Sequence, residues 1–271
     1  MTSATQASGI ERIEEAFARA RADGRAAALM PYLMGGFPSL EISREIGIAY
    51  ARSGADIVEL GVPFSDPLAD GPVIHAAATA ALQAGATVQR VLGVAAAIAV
   101  HVPVVVMCYC NPVIARGWER FVDSLVSAGA SGLIVPDLPV EEAPELLSAC
   151  DERGIALVPL VAPTTPPERL ERIGAMARGF LYTVSVTGTT GERAALDPDA
   201  VARVAAHTSA PIALGFGIAT ADQVAAAASA GADGVIVGSR LVRAASEESD
   251  PVAAVSRLVA QYAAALRTPS G

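Results

Sequence analysis

Eight short, almost continuously apolar runs recur along this chain, at 28–34, 56–60, 104–109, 132–135, 156–160, 180–184, 212–214 and 235–237. Alanine-rich amphipathic stretches such as 39–52, 118–127 and 221–229 lie between them. Strands that are apolar at nearly every position need cover on both faces, which is the pattern of parallel strands wrapped by helices. About eight such units within 271 residues suit a closed (β/α)8 barrel better than a doubly wound open sheet.

An internal echo supports the repeat. Ser53-Gly-Ala-Asp56, Ala128-Gly-Ala-Ser131 and Ala230-Gly-Ala-Asp233 each stand between a helical stretch and a strand-like run, and Arg153-Gly-Ile155 is a looser fourth case. Glycine there supplies the left-handed residue that stops a helix. The long interval between the second and third runs leaves room for one extra helix, 75–83, before 88–100. Residues 1–9 are expected to form a flexible tail, 10–267 a single TIM barrel with extra helices at its N-terminus and after strand 2, and 268–271 a C-terminal tail.

Composition removes several chemistries. The chain has no lysine, all 19 of its basic residues being arginine, so it can form no Schiff base with a substrate and no internal aldimine with pyridoxal phosphate. A net charge of −9 argues against a nucleic-acid or anionic membrane partner. Three cysteines, Cys108, Cys110 and Cys150, make no disulfide framework and fit a reducing cytoplasm. Cys108 and Cys110 read as two core residues on one face of a strand. His75, His101 and His207 are widely spaced and form no zinc motif, and the latter two are expected at helix C-termini. The uncharged run 91–110 is long enough to suggest a membrane span, but His101 and Pro103 divide it into a helix end and a buried strand.

In a barrel, the chemistry sits on the loops that follow the strands. After the second run come Glu59-Leu-Gly-Val-Pro-Phe-Ser-Asp-Pro-Leu-Ala-Asp70-Gly-Pro72. Glu59 stands where a buried strand ends, an expensive place for a carboxylate unless it is paired or used. Asp70 follows in a turn-rich loop, where turn formation or helix capping is the plain alternative. Two carboxyl groups in different surroundings can divide acid and base work. Asp66, fixed in extended backbone by Pro67, reads as structural.

The later loops carry glycines and hydroxyls: Thr187-Gly-Thr-Thr-Gly-Glu-Arg193, Gly215-Phe-Gly217 and Gly238-Ser-Arg240. Loops after strands seven and eight commonly hold phosphate through main-chain N–H groups. Arg240 is expected to face solvent or pair with an acid and is not assigned to the phosphate.

The run 59–72, together with Cys108-Tyr-Cys-Asn-Pro112, Pro136-Asp-Leu-Pro-Val-Glu-Glu142, Gly215-Phe-Gly217 and Gly238-Ser239, resembles the tryptophan synthase alpha chain family across residues 10–267. That resemblance implies a lyase that splits indole-3-glycerol phosphate into indole and glyceraldehyde 3-phosphate. It makes Glu59 the general acid–base and sets Asp70 against the indole N–H. It assigns Tyr182 and Phe216 to the indole pocket, with Ile74, Met107 and Ile236 nearby. It gives Thr190 and Gly191 to a loop that closes over substrate, and the phosphate to Gly191, Gly217, Gly238 and Ser239. No cofactor is implied on this chain. The implied partner is a beta chain that carries pyridoxal phosphate, in an alpha2beta2 heterotetramer. Val186 stands where an arginine is common in the family's sixth loop. Other phosphate-handling barrels usually need a metal or a lysine. A barrel that only activates a partner would not need both Glu59 and Asp70, whereas a stand-alone indole producer would.

Overall fold

The computed structural model describes residues 7–162, 164–184, 200–215 and 217–267. Of the residues assigned from the sequence, Thr190, Gly191 and Phe216 lie outside the described residues, as does Val186. The strands are β1 Ala28–Met34, β2 Val58–Gly61, β3 Val104–Met107, β4 Gly132–Ile134, β5 Ala156–Leu157, β6 Leu160–Val161, β7 Leu181–Val184, β8 Ile212–Gly215 and β9 Gly234–Val237. The helices are α1 Gly9–Ala22, α2 Leu40–Arg52, α3 Pro72–Gln83, α4 Val88–Ala99, α5 Cys110–Ile114, α6 Trp118–Ser127, α7 Pro144–Glu152, α8 Pro167–Met176, α9 Ala200–Ala205, α10 Ala221–Ser229, α11 Ser239–Glu247 and α12 Pro251–Ala265. All eight strand pairings are parallel, in the order β5-β4-β3-β2-β1-β9-β8-β7-β6.

The expected fifth strand is split. Its first half, β5, pairs with β4 and its second half, β6, pairs with β7. Pro159 sits at the break and has no N–H to donate, although its carbonyl still accepts from the Tyr182 N–H at 3.0 Å. One continuous segment, 156–161, therefore closes the sheet into a barrel of eight parallel strand positions. Other strand bounds move by one or two residues. At β3 the strand ends at Met107, two residues short of the expected 109. Cys110 is not a strand residue but opens α5, where its N–H donates to Asp137 Oδ1 at 2.8 Å.

The glycines of the internal echo do what the repeat requires. Gly54, Gly129, Gly154 and Gly231 all have positive φ, from 66° to 105°, a region costly to any residue with a Cβ. The acids of the echo also have work. Asp56 accepts the Leu29 N–H and pairs with Arg25, and Asp233 accepts the Ile212 N–H and pairs with Arg21. Each ties the turn before its own strand to the start of the neighbouring strand.

Alternate strand residues face the barrel interior. Met30, Ile57, Val105, Ile134, Ala156, Phe180, Ala213 and Ile236 form one inner cluster. The N-terminal helix α1 closes its lower end, contributing Ile13, Ala16, Phe17 and Ala20, with Phe17 packed on Phe180 at 6.0 Å between ring centres. A capping box of Ser8 and Glu11 begins α1 at Gly9, one residue inside the expected tail. Arg12 on this helix donates to Gly129 O at 2.9 Å and to Ala99 O, where α6 and α4 end. The outer faces of the strands pack on the helices in a second, larger cluster.

The extra helix after β2 is α3. It starts at Pro72, three residues before the expected 75, because Gly71 is its N-cap and Pro72 fits the first turn without an N–H. Among the described residues no single helix is long and apolar enough to cross a membrane, and α3 and α4 meet at 110°. The apolar side of α4 is buried against the barrel wall.

Candidate active site

At the C-terminal end of the strands lies a cavity, partly open to solvent, with about 600 Å³ of space between its walls and mouth. Its wall includes Glu59, Asp70, Ile74, Met107, Tyr182, Gly217, Ile236, Gly238 and Ser239, nine of the twelve site residues expected from sequence. Tyr32, Gly71, Ile218 and Arg240 are the other described residues that line it. A cleft at the carboxyl ends of barrel strands, mostly apolar with a few converging polar groups, is the ordinary form of a small-molecule site.

Glu59 reaches the cavity because it occupies an inward position of β2, in register with Tyr32 of β1. Leu60 on the other face is in the outer core. Glu59 is only 2 % exposed, and its Oε1 has no hydrogen-bond partner among the described residues. A buried carboxyl oxygen without a donor is costly in the folded chain alone. Burial raises the Glu59 pKa to about 8, and the nearby Asp70 carboxyl adds to the rise. At neutral pH Glu59 is therefore mainly a carboxylic acid able to give a proton.

Asp70 comes from the loop between β2 and α3. Its pKa is raised to about 6 by burial, against the lowering effects of a hydrogen bond from Tyr109 and the charge of His75. The same environment thus sets two carboxyls apart, with Asp70 the one that ionises first. Asp70 does not cap α3; the N-cap is Gly71, without a side-chain cap. Asp66, expected to be structural, has the Ser65 hydroxyl as its hydrogen-bond donor.

Tyr109 anchors the Asp70 loop, a role that the sequence motifs do not assign to it. Its hydroxyl accepts the Ala69 N–H at 3.0 Å, and its ring stacks on Phe64 at 5.2 Å. Its position just after the third strand is the available signal. Leu68, at the tip of the same loop, is 91 % exposed.

Tyr32 is a second residue that sequence reasoning misses. The signal is its place two residues before the end of a buried strand, on the inward face. Its hydroxyl fits only because the facing residue is Gly61, where a Cβ would collide with the hydroxyl oxygen. Gly215 makes the same room for the Tyr182 hydroxyl. Both phenols have their pKa pushed well up by burial, and so stay neutral donors.

The glycine-rich side of the cavity is formed by Gly217, with φ of 78°, and by the start of α11. Gly238 is the N-cap of α11, and no side chain caps that end. A Cβ built on Gly238 would touch nothing closer than 3.7 Å. A side chain at 238 would therefore meet no collision within the protein and would occupy the open space in front of the backbone. Arg240 departs from expectation. It lines the cavity, half-buried, and has no acid partner among the described residues.

The family model for the tryptophan synthase alpha chain matches residues 17–268. The tryptophan synthase alpha chain of Prochlorococcus marinus strain MIT 9313 is 49% identical over 256 residues, covering 93% of this chain and 90% of that one. The Methanosarcina mazei alpha chain is 48% identical over 235 residues, 86% of each chain. Among solved structures, Mycobacterium tuberculosis tryptophan synthase superposes with a TM-score of 0.89 at 40% identity, covering 97% of this chain and 100% of that one. A chain of the Pyrococcus furiosus tryptophan synthase α2β2 complex gives 0.81 at 34% identity, covering 88% and 98%.

Proposed function

The chain belongs to the tryptophan synthase alpha chain family, and from that premise we propose how its cavity performs the family's reaction. It is a lyase that splits indole-3-glycerol phosphate into indole and glyceraldehyde 3-phosphate, and it works with a tryptophan synthase beta chain. Pyridoxal phosphate on that beta chain, and a cytoplasmic setting, are parts of the proposal. So is the extent of the barrel domain, 10–267, between short tails.

Cleavage is a retro-aldol step. The bond between indole C3 and the glycerol chain breaks only if the ring can take up the electron pair. Protonation at C3 makes the ring that sink, with the positive charge shared by the ring nitrogen. Glu59 is the group suited to give this proton, because burial keeps it protonated near neutrality. Asp70, more acidic, faces the ring N–H and offsets the cation. Glu59, now a carboxylate, accepts the proton of the glycerol hydroxyl next to the bond. The hydroxyl becomes the aldehyde of glyceraldehyde 3-phosphate, and the bonding pair returns to the ring as indole leaves.

The apolar side chains of Ile74, Met107, Tyr182 and Ile236 give the ring a dry bed, with Phe216 assigned to the same pocket by resemblance. Gly217, Gly238 and Ser239 supply main-chain N–H groups and a hydroxyl to the phosphate. Thr190 and Gly191 are assigned by resemblance to a loop that closes over it.

The observation that carries the assignment is the orphaned Glu59 Oε1 in a cavity shared with Asp70. Glu59→Gln keeps the shape and removes the proton. Loss of general acid–base catalysis is worth ~10²–10⁴ in rate, and two proton steps rest on this one group. Indole release by the purified chain, measured with and without a beta chain, tests it; a Glu59→Gln variant working near the wild-type rate would overturn the assignment. Wild-type chain that gains nothing in rate from a beta chain, and does not sediment with it, would favour a stand-alone lyase.

A further inference from the structure

Resting on the phosphate placement above, we propose that Arg240 is the residue that selects phosphorylated over neutral substrate. The argument starts from charge. The chain carries a net −9, and its cavity holds the Asp70 carboxylate beside the neutral Glu59 carboxyl. A phosphate dianion entering there meets an unfavourable field unless a local cation offsets it. Without lysine in the chain, only arginine can supply a permanent one. Among the described residues that line the cavity, Arg240 is the single cation.

Position agrees with charge. Arg240 is the second residue of α11, directly after Ser239, on the helix whose first turn has no side-chain cap. No acid pairs with its guanidinium among the described residues, whereas Arg21, Arg153, Arg169 and Arg178 each hold a carboxylate within 3.0 Å. A half-buried arginine at a cavity wall, with no acid on its guanidinium, is ready to take an anion, and its fork matches phosphate oxygens two at a time. The main-chain N–H groups of Gly217, Gly238 and Ser239 orient the phosphate; Arg240 supplies the net charge they lack.

The test compares Arg240→Gln, Arg240→Lys and Gly238→Ala in competition against cleavage. The two probes are glycerol phosphate, which carries the anion, and indole propanol, which carries only the ring. A charge-assisted hydrogen bond is worth roughly tenfold to a hundredfold in affinity. Arg240→Gln should weaken glycerol phosphate by about that factor, leave indole propanol unchanged, and raise KM far more than it lowers kcat. Arg240→Lys should recover part of the loss and its salt dependence. If Arg240→Gln changes neither probe while Gly238→Ala weakens glycerol phosphate, the phosphate sits where proposed and the role of Arg240 is refuted. If neither variant affects glycerol phosphate, the phosphate placement itself fails. Equal weakening of both probes by Arg240→Gln would mark a structural role and also overturn the inference.

Discussion

Glu59→Gln should do more than silence the enzyme; it should make the protein more stable, and increasingly so as pH rises. Glu59 has its proton affinity raised from the ordinary 4.5 to about 8 by burial. The folded chain therefore holds this proton more tightly than the unfolded chain does. Stability from that source is fully present below about pH 4.5 and is lost as pH rises through about 8. At about 1.4 kcal/mol per tenfold change in proton affinity, the whole effect is worth roughly 5 kcal/mol. That figure is a ceiling, since water entering the cavity would soften it. Glutamine has no such proton to lose.

The measurement is urea unfolding of both proteins at pH 5, 7 and 9. At pH 5 they should agree within about 1 kcal/mol, because neutral Glu and Gln have nearly the same shape and the window has barely opened. By pH 9 the variant should be ahead by about 2–5 kcal/mol, a large share of a domain's usual margin. Most of that gap should open between pH 5 and 8. Asp70 is also raised, to about 6, but it is present in both proteins, so the difference between them reports Glu59 together with the repulsion between the two carboxyls. Stability curves that run parallel from pH 5 to 9 would refute the desolvated carboxyl, and with it the reason for calling Glu59 an acid.

Three further outcomes follow from the same geometry. The rate of indole release, as kcat/KM, should be bell-shaped in pH, with limbs near 6 and 8 as Asp70 must be ionised and Glu59 protonated; a flat profile across that range would contradict the division of roles. Asp70→Asn can still accept from the ring N–H but cannot offset its charge, so steady-state kinetics should show kcat falling much more than KM rises; a rise in KM alone would make Asp70 a binding residue. Gly61→Ala should cost about 1–3 kcal/mol in thermal or urea unfolding, because its Cβ meets the Tyr32 hydroxyl, and Tyr32→Phe should recover part of that cost in the double variant; additive losses would show that the two residues do not share the space.

What can be read from the sequence is what is encoded locally. Strand burial repeats within a few residues, and a positive-φ glycine marks each helix stop, so the barrel emerges from Gly54, Gly129, Gly154 and Gly231 and the runs between them. Glu59 is legible for the same reason: an acid on the inward face of a buried strand is conspicuous wherever the chain goes next. Most of the misreadings depend on what another part of the chain does. Cys110 looks like strand until Asp137, on the next loop, takes its N–H. The fifth strand looks whole until Pro159 leaves its two halves to different neighbours. Tyr109 acquires a role only when Ala69 and Phe64 fold onto it. Arg240 is the extreme case, because an arginine's role is decided by whether any acid reaches it, and that depends on how other elements pack around its helix. A carboxylate is costly where it is buried and so announces itself in the pattern of its own strand; a cation is informative only by the company it lacks, which no stretch of its own helix can reveal.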